Sequence, residues 1–152
     1  MFARYIVDQY GAGLPAKLVQ TTLAGSGNLA AQTGHSFDTT VTRWALANWV
    51  SDLPGFLTPA ELSYTSWHFR TRTFASLYQQ DSATFRHPYP LVPTVSAGSA
   101  VNLSGTLRSG SGVYGRALQA PGAPAFTLLF SGSGTAALPA AVVPRLDVIR
   151  LR

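Results

Sequence analysis

The sequence predicts an α+β chain, with a helical N-terminal subdomain over 1–82 followed by an antiparallel β-sandwich over 83–152. Apolar residues recur at helical spacing through the first half of the chain. The texture then changes at His87-Pro88-Tyr89-Pro90, where the prolines keep Arg86 to Thr94 extended and unsuited to a helix. Beyond that point short alternating runs are parted by Gly/Ser turns, the pattern of an antiparallel sandwich.

Phe2, Ile6 and Tyr10 stand at i, i+4 and i+8 with Tyr5 beside them, which predicts a short helix over Phe2 to Tyr10. Gly11-Ala12-Gly13 stops it. Pro15 suits the first turn of a second helix running to about Leu23, because its missing N–H would have no partner there anyway. Ala24 to Gly34, rich in Gly, Ser and Asn, reads as a loop. Ser36 is the expected N-cap of a third helix, with Asp38 favourable at its positive end. Phe37, Val41, Trp44, Ala45 and Asn48 form the expected buried stripe, and Pro54-Gly55 the stop.

Thr58-Pro59-Ala60-Glu61 has the form of a capping box, Thr at the N-cap and Glu three residues on. From Tyr64 to Gln80 the period is ambiguous: Trp67 and Phe69 alternate as in a strand, whereas Phe74, Leu77 and Tyr78 are spaced as in a helix. In the second half, Val101, Leu103, Gly105 and Leu107 alternate with polar residues, a half-buried strand. Val113 to Gln119, Phe126 to Phe130 and Leu146 to Leu151 are the other expected strands, with turns at Ser109–Gly112, Pro121-Gly122 and Ser131–Gly134.

Composition narrows the function classes. The 152 residues are 46% hydrophobic, and a chain of that length buries roughly 68–70% of its unfolded surface, enough for a core without staples. Charged residues are 11% of the chain, against roughly 25% in ordinary soluble domains. That points to a surface of small polar groups, as in many secreted proteins, and away from disorder, which combines low hydrophobicity with high charge. The absence of cysteine excludes a disulfide framework, thiol catalysis and Cys-ligated zinc. The net charge of +5 comes from arginines scattered along the chain, so no nucleic-acid partner is expected. No run approaches the ~20 apolar residues of a membrane span. Asp8 and Gln9 break any N-terminal signal segment, so an extracytoplasmic protein would be represented here by a mature or excised part.

Catalytic motifs are incomplete. His35, His68 and His87 lie far apart, and none has a ligand partner at helical spacing. Gly34-His35-Ser36-Phe37-Asp38 resembles the front of a nucleophile elbow, but Asp38 stands where the turn needs glycine. Helix capping explains Ser36 with fewer requirements. Asp8, Asp38, Asp52, Glu61, Asp81 and Asp147 form no local pair. The Gly-Ser-Gly runs lack the lysine and helix of a phosphate loop. No catalytic residue, metal ligand or cofactor is therefore expected. The candidate ligand-binding stretch is Trp67-His68-Phe69-Arg70-Thr71-Arg72-Thr73-Phe74, where Trp67, Phe69, Arg70 and Arg72 could stack on sugar rings or bases. The competing reading puts the aromatics in the core and leaves the arginines solvated.

Phe2-Ala3-Arg4-Tyr5-Ile6-Val7-Asp8-Gln9-Tyr10-Gly11, the loop from Thr21-Thr22-Leu23 to Gly34, and the Trp44-Ala45-Leu46-Ala47 helix together resemble one known arrangement. They are similar to the segment that follows the zinc-binding HExxH helix in hyicolysin-like secreted bacterial metallopeptidases. The β-rich half is similar to the β-sandwich accessory domains that follow secreted peptidase domains. The resemblance implies a zinc-binding segment N-terminal to Met1, so no ligand or catalytic base falls on this sequence. It implies a non-catalytic C-terminal part of a peptidase-like protein, partnered by an upstream peptidase domain. The alternative is an extracellular surface-binding or self-assembling module, for example one that binds glycans.

Overall fold

The computed structural model describes residues 1–97, 103–104, 106, 112–124, 131–132, 136–137 and 145–151. The chain divides into two units, Met1–Leu91 with Ile149–Arg152, and Val92–Val148.

The first unit is helical: α1 Phe2–Tyr10, α2 Leu14–Val19, α3 Gly25–Thr33, α4 Phe37–Val50 and α5 Ala75–Gln80, with a 3₁₀ turn at Ala60–Leu62 and a π-helical turn at Phe69–Phe74. Helix α1 buries Tyr5 and Ile6 and stops at Gly11, whose φ of 94° suits a residue without Cβ. Pro15 sits in the first turn of α2, which ends at Val19, short of the expected Leu23.

The stretch read as a loop between Ala24 and Gly34 is instead α3. Glycine costs a helix about 1 kcal/mol, and Gly25 and Gly27 made this segment look irregular. Tertiary contacts outweigh that cost. Leu29 is buried, the Asn28 side chain donates to the Leu18 carbonyl at 2.8 Å, and Gly34 closes the helix in the left-handed conformation.

Ser36 caps α4 as its hydroxyl accepts the Thr39 N–H at 3.1 Å, with Asp38 in the first turn. The buried face differs from the expected stripe. Thr40, Ala47, Asn48 and Val50 are buried, Trp44 packs against the core, and Phe37 stays 40% exposed. Thr40 enters the core because its hydroxyl donates back to the Ser36 carbonyl at 3.1 Å, leaving only its methyl to be covered.

Thr58 does not cap the turn that follows it. Its hydroxyl donates to the Val50 carbonyl at 2.7 Å, and Ala60–Leu62 is a 3₁₀ turn preceded by Pro59. The ambiguous period over Tyr64 to Gln80 resolves as a π-helical turn running into α5. The Thr73 N–H reaches the carbonyl of His68, five residues back, at 3.2 Å. That extra residue per turn shifts the apolar phase between Phe69 and Leu77.

The core joins Tyr5, Ile6, Leu14, Leu29, Ala47, Tyr64, Phe69 and Tyr89. Tyr64 lies edge-on to Tyr5 (centroids 5.9 Å apart, 75°) and to Phe69 (4.9 Å, 80°). Such pairs add about 0.5–1.5 kcal/mol each beyond area burial.

The second unit overturns the expected antiparallel sandwich. Among the described residues the sheet has two strands, β1 Thr94–Ala97 and β2 Gly115–Leu118, paired in parallel with Thr94 opposite Gly115 and Ala97 opposite Leu118. Alternation marks a strand but carries no information on its partner or direction, and a parallel pair requires a long crossover that a hairpin reading overlooks. A Cβ at Gly115 would lie 2.4 Å from Leu103 Cδ1, so a larger residue there would oblige that leucine side chain to shift. The Pro121-Gly122 turn forms as expected, with φ of 77° at Gly122 and the Ala123 N–H on the Ala120 carbonyl at 3.1 Å. Leu103, Ser104 and Thr106 of the predicted Val101–Leu107 strand, and the predicted strand Leu146 to Leu151, are not in strands. The rest of Val101–Leu107, and Phe126 to Phe130, lie outside the described residues. Among the described residues no helix is long and apolar enough to cross a membrane.

The Tyr5 hydroxyl donates to the Glu61 carbonyl at 2.6 Å. Burial, then Tyr10 and Glu61, push its phenol up from 10.0 to about 12, with Arg43 opposing. A raised value means the fold holds the neutral phenol, so this contribution is complete below pH 10 and is lost as pH climbs through 12. Urea unfolding should show stability falling over that window. Tyr5→Phe should lose about 1 kcal/mol at neutral pH and show a shallower alkaline decline; an unchanged decline would remove Tyr5 as its source.

Candidate functional site

A helix ends with four carbonyls that lack intrahelical partners. In α4 these belong to Ala47, Asn48, Trp49 and Val50, and each is met by a different donor. The Ser51 N–H takes Ala47 O at 3.1 Å, the Tyr89 hydroxyl takes Asn48 O, the Arg70 guanidinium takes Trp49 O through Nη2, and Thr58 takes Val50 O. The Leu53 N–H also reaches Val50 O at 3.1 Å, and three of these five donors are side chains from later in the chain. They draw the segments around residues 58, 70 and 89 onto one helix end.

Arg70 is the charged member of this set. Its guanidinium carbon lies 4.6 Å from the Trp49 ring centre and 4.0 Å from that of Tyr89. The planar cation is thus held against two aromatic faces at the negative end of the helix dipole. Burial pushes its pKa below the ordinary value, with Tyr89 and Asp52 opposing that shift. Its Nε is buried with no acceptor among the described residues.

Asp52 follows the helix with φ of 55°, a left-handed turn that brings its carboxylate to His68. His68 Nδ1 lies 3.1 Å from Asp52 Oδ2 and 3.2 Å from Oδ1. The side chains are 40% and 21% exposed, so the pair is worth about 0–1 kcal/mol. A carboxylate on one imidazole nitrogen can orient the ring as in a catalytic dyad, but no hydroxyl meets the other nitrogen among the described residues. Ser51 Oγ accepts the Tyr64 N–H at 3.1 Å instead. Asp52 and His68 supply two metal-ligating groups, and no cluster of three or more is found among the described residues. His35 lies against Tyr10, with ring centres 5.9 Å apart.

The four residues predicted to bind ligand part company in the fold. Phe69 is buried in the core against Tyr64, and Arg70 turns inward to cap α4. Trp67 is 49% exposed, with the Arg4 guanidinium carbon 5.1 Å from its ring centre. Arg72 is exposed. The π-helical turn separates Phe69, Arg70 and Arg72, because it winds successive side chains around an axis rather than alternating them as a strand would, and Trp67 precedes it. The sequence reading overlooked the Asp52–His68 pair, which has no local signal: sixteen residues separate its members, and a left-handed Asp52 joins them.

No protein-family model, curated protein or solved structure matches the chain.

Arg70→Ala removes a charge-assisted cap and two ring contacts, and should lower unfolding free energy by about 2–4 kcal/mol in urea titrations. Arg70→Lys should recover less than half of that loss, because an ammonium cannot lie flat between two rings while bonding a carbonyl. Full recovery by lysine would mean that charge alone matters at this helix end.

Proposed function

We propose that the helical unit is a non-catalytic, structural part of a secreted metallopeptidase-like protein, one that shapes and supports a catalytic lobe. The observation that carries this reading is how the polar side chains are used. Tyr5, Gln9, Asn28, Thr58, Arg70 and Tyr89 all donate to backbone carbonyls of other segments. Asp8 accepts the Thr65 and Ser66 N–H groups at 3.0 and 3.2 Å and the Ser66 hydroxyl at 2.6 Å. A catalytic centre needs side chains aimed at a substrate, whereas these are aimed at the chain itself. The likeness of Phe2–Gly11 and Trp44–Ala47 to the segment after the zinc motif of hyicolysin-like peptidases supports the same role.

Two measurements test it. The purified chain, supplied with zinc, should not hydrolyse casein or a mixed peptide library, and robust turnover would overturn the reading. The reading frame upstream of the Met1 codon should encode an HExxH helix continuous with this chain; a frame lacking one would overturn it too.

Exposed Trp67 beside Arg4 favours a second reading, a surface module that stacks on sugar rings. Retardation in polysaccharide-containing native gels should then appear for the native chain and vanish for Trp67→Ala. Equal mobility of both proteins with and without polysaccharide would dismiss it.

A further inference from the structure

After α5 the chain turns back on itself and leaves a cleft of about 300 Å³ between Phe74, Thr84, Phe85, Arg86, His87 and Pro90. That volume is at the lower end of the roughly 300–1,000 Å³ of small-molecule sites, room for one large side chain rather than an extended ligand. The walls are set by local structure. Phe74 is held edge-on to Tyr89, with ring centres 5.6 Å apart at 80°. The turn carrying Phe85 and Arg86 is tied at its base by Asp81, whose carboxylate accepts the Thr84 N–H at 3.0 Å and whose carbonyl accepts the Phe85 N–H at 2.9 Å. Hydrogen bonds from Thr84 also keep the Asp81 carboxyl below the usual carboxylate range, so at neutral pH this acid is committed to the turn.

The cleft's charge is unbalanced. Phe74, Phe85 and Pro90 supply apolar wall, while Arg86 and His87 are exposed at the rim. Neither of these two makes a hydrogen bond or ion pair among the described residues, and no acidic side chain lines the cleft. A lone guanidinium beside an apolar recess matches a carboxylate borne on an apolar body, because the planar fork can take both oxygens at once. One fork and one imidazole are few donors for a phosphate.

We infer that this cleft binds a carboxylate attached to a large apolar group, and that its natural form is the C-terminal residue of a peptide chain ending in an aromatic or branched side chain. The apolar side chain enters between Phe74, Phe85 and Pro90, and the terminal carboxylate pairs with Arg86. This assignment rests on the cleft alone and stands whether or not the chain supports a peptidase lobe.

Backbone amide NMR of the full chain tests it with three probes: a pentapeptide ending in phenylalanine with a free carboxylate, the same peptide amidated, and N-acetylphenylalanine. The free-acid peptide should shift the Thr84 to His87 amides and bind at least about tenfold more tightly than the amide, since each tenfold is about 1.4 kcal/mol. Arg86→Gln should lose at least about tenfold in affinity with an unchanged melting temperature, and Arg86→Lys should fall between, keeping the charge but not the fork. Tighter binding of the peptide than of N-acetylphenylalanine supports a chain terminus as the ligand, whereas equal binding overturns that source and leaves a small free acid. Equal affinity for acid and amide, unchanged binding by Arg86→Gln, or no shifts at about 10 mM probe would overturn the site itself.

Discussion

The carboxyl end of α4 is the constraint around which the helical unit is arranged. Its four last carbonyls cannot be satisfied within the helix, and leaving one buried and unpaired would cost about 1–3 kcal/mol. Thr58, Arg70 and Tyr89 supply side-chain donors from three separate later segments. Because each donor must arrive at a fixed point and angle, the segments that carry them are positioned as a consequence. Little regular structure is needed between Ser51 and Phe69, since this helix end and its neighbours do the ordering that a sheet or another helix would otherwise do.

The same economy recurs one layer away. Tyr64 holds the irregular segment to α4 from both its ends, taking Ser51 Oγ with its backbone N–H and Asn48 Oδ1 with its hydroxyl at 2.6 Å, while Trp44 Nε1 donates to that hydroxyl at 3.1 Å. Helix α1 grips the other side, where Gln9 Nε2 donates to the carbonyls of Ala60 and Ser63 at 3.0 and 2.8 Å. Buried polar networks of this kind are costly when half-satisfied and specific when complete. Here they fix one path for a stretch that has no repeating pattern to fix it. The side chains of this network are engaged within the fold, whereas Arg86 and His87 lie exposed at the cleft beside Phe74.

Several local signals read correctly because their cause was local, although α2 ends at Val19 and α4 at Val50, each before its expected stop. Ser36 caps α4 because its hydroxyl needs only an N–H three residues on, and Gly11 ends α1 because the turn needs a positive φ. Pro121-Gly122 turns the chain for the same reason. The readings that failed had non-local causes. Helix α3 exists because Leu29 has a core to enter and Asn28 has the end of α2 to bond. Thr58 is drawn from its expected cap by a carbonyl eight residues earlier. The alternation that suggested a sandwich marked β2 as a strand but could not reveal that β1 pairs with it in parallel.

The candidate binding residues divide along the same line. Aromatic and arginine side chains interleaved from Trp67 to Phe74 were visible as a cluster, but which of them faces solvent was settled by a π-helical turn and by the ring pair that accepts Arg70. By itself the sequence determined the helical character of the first half, the stop of α1 and the N-cap of α4, because each follows from neighbours within a turn of chain. Tertiary structure alone decided the capping of the carboxyl end of α4, the Asp52–His68 pair, the cleft beside Phe74 and the direction of strand pairing. Each of those depends on groups far apart in sequence, whose meeting is set by which buried polar atoms must find a partner.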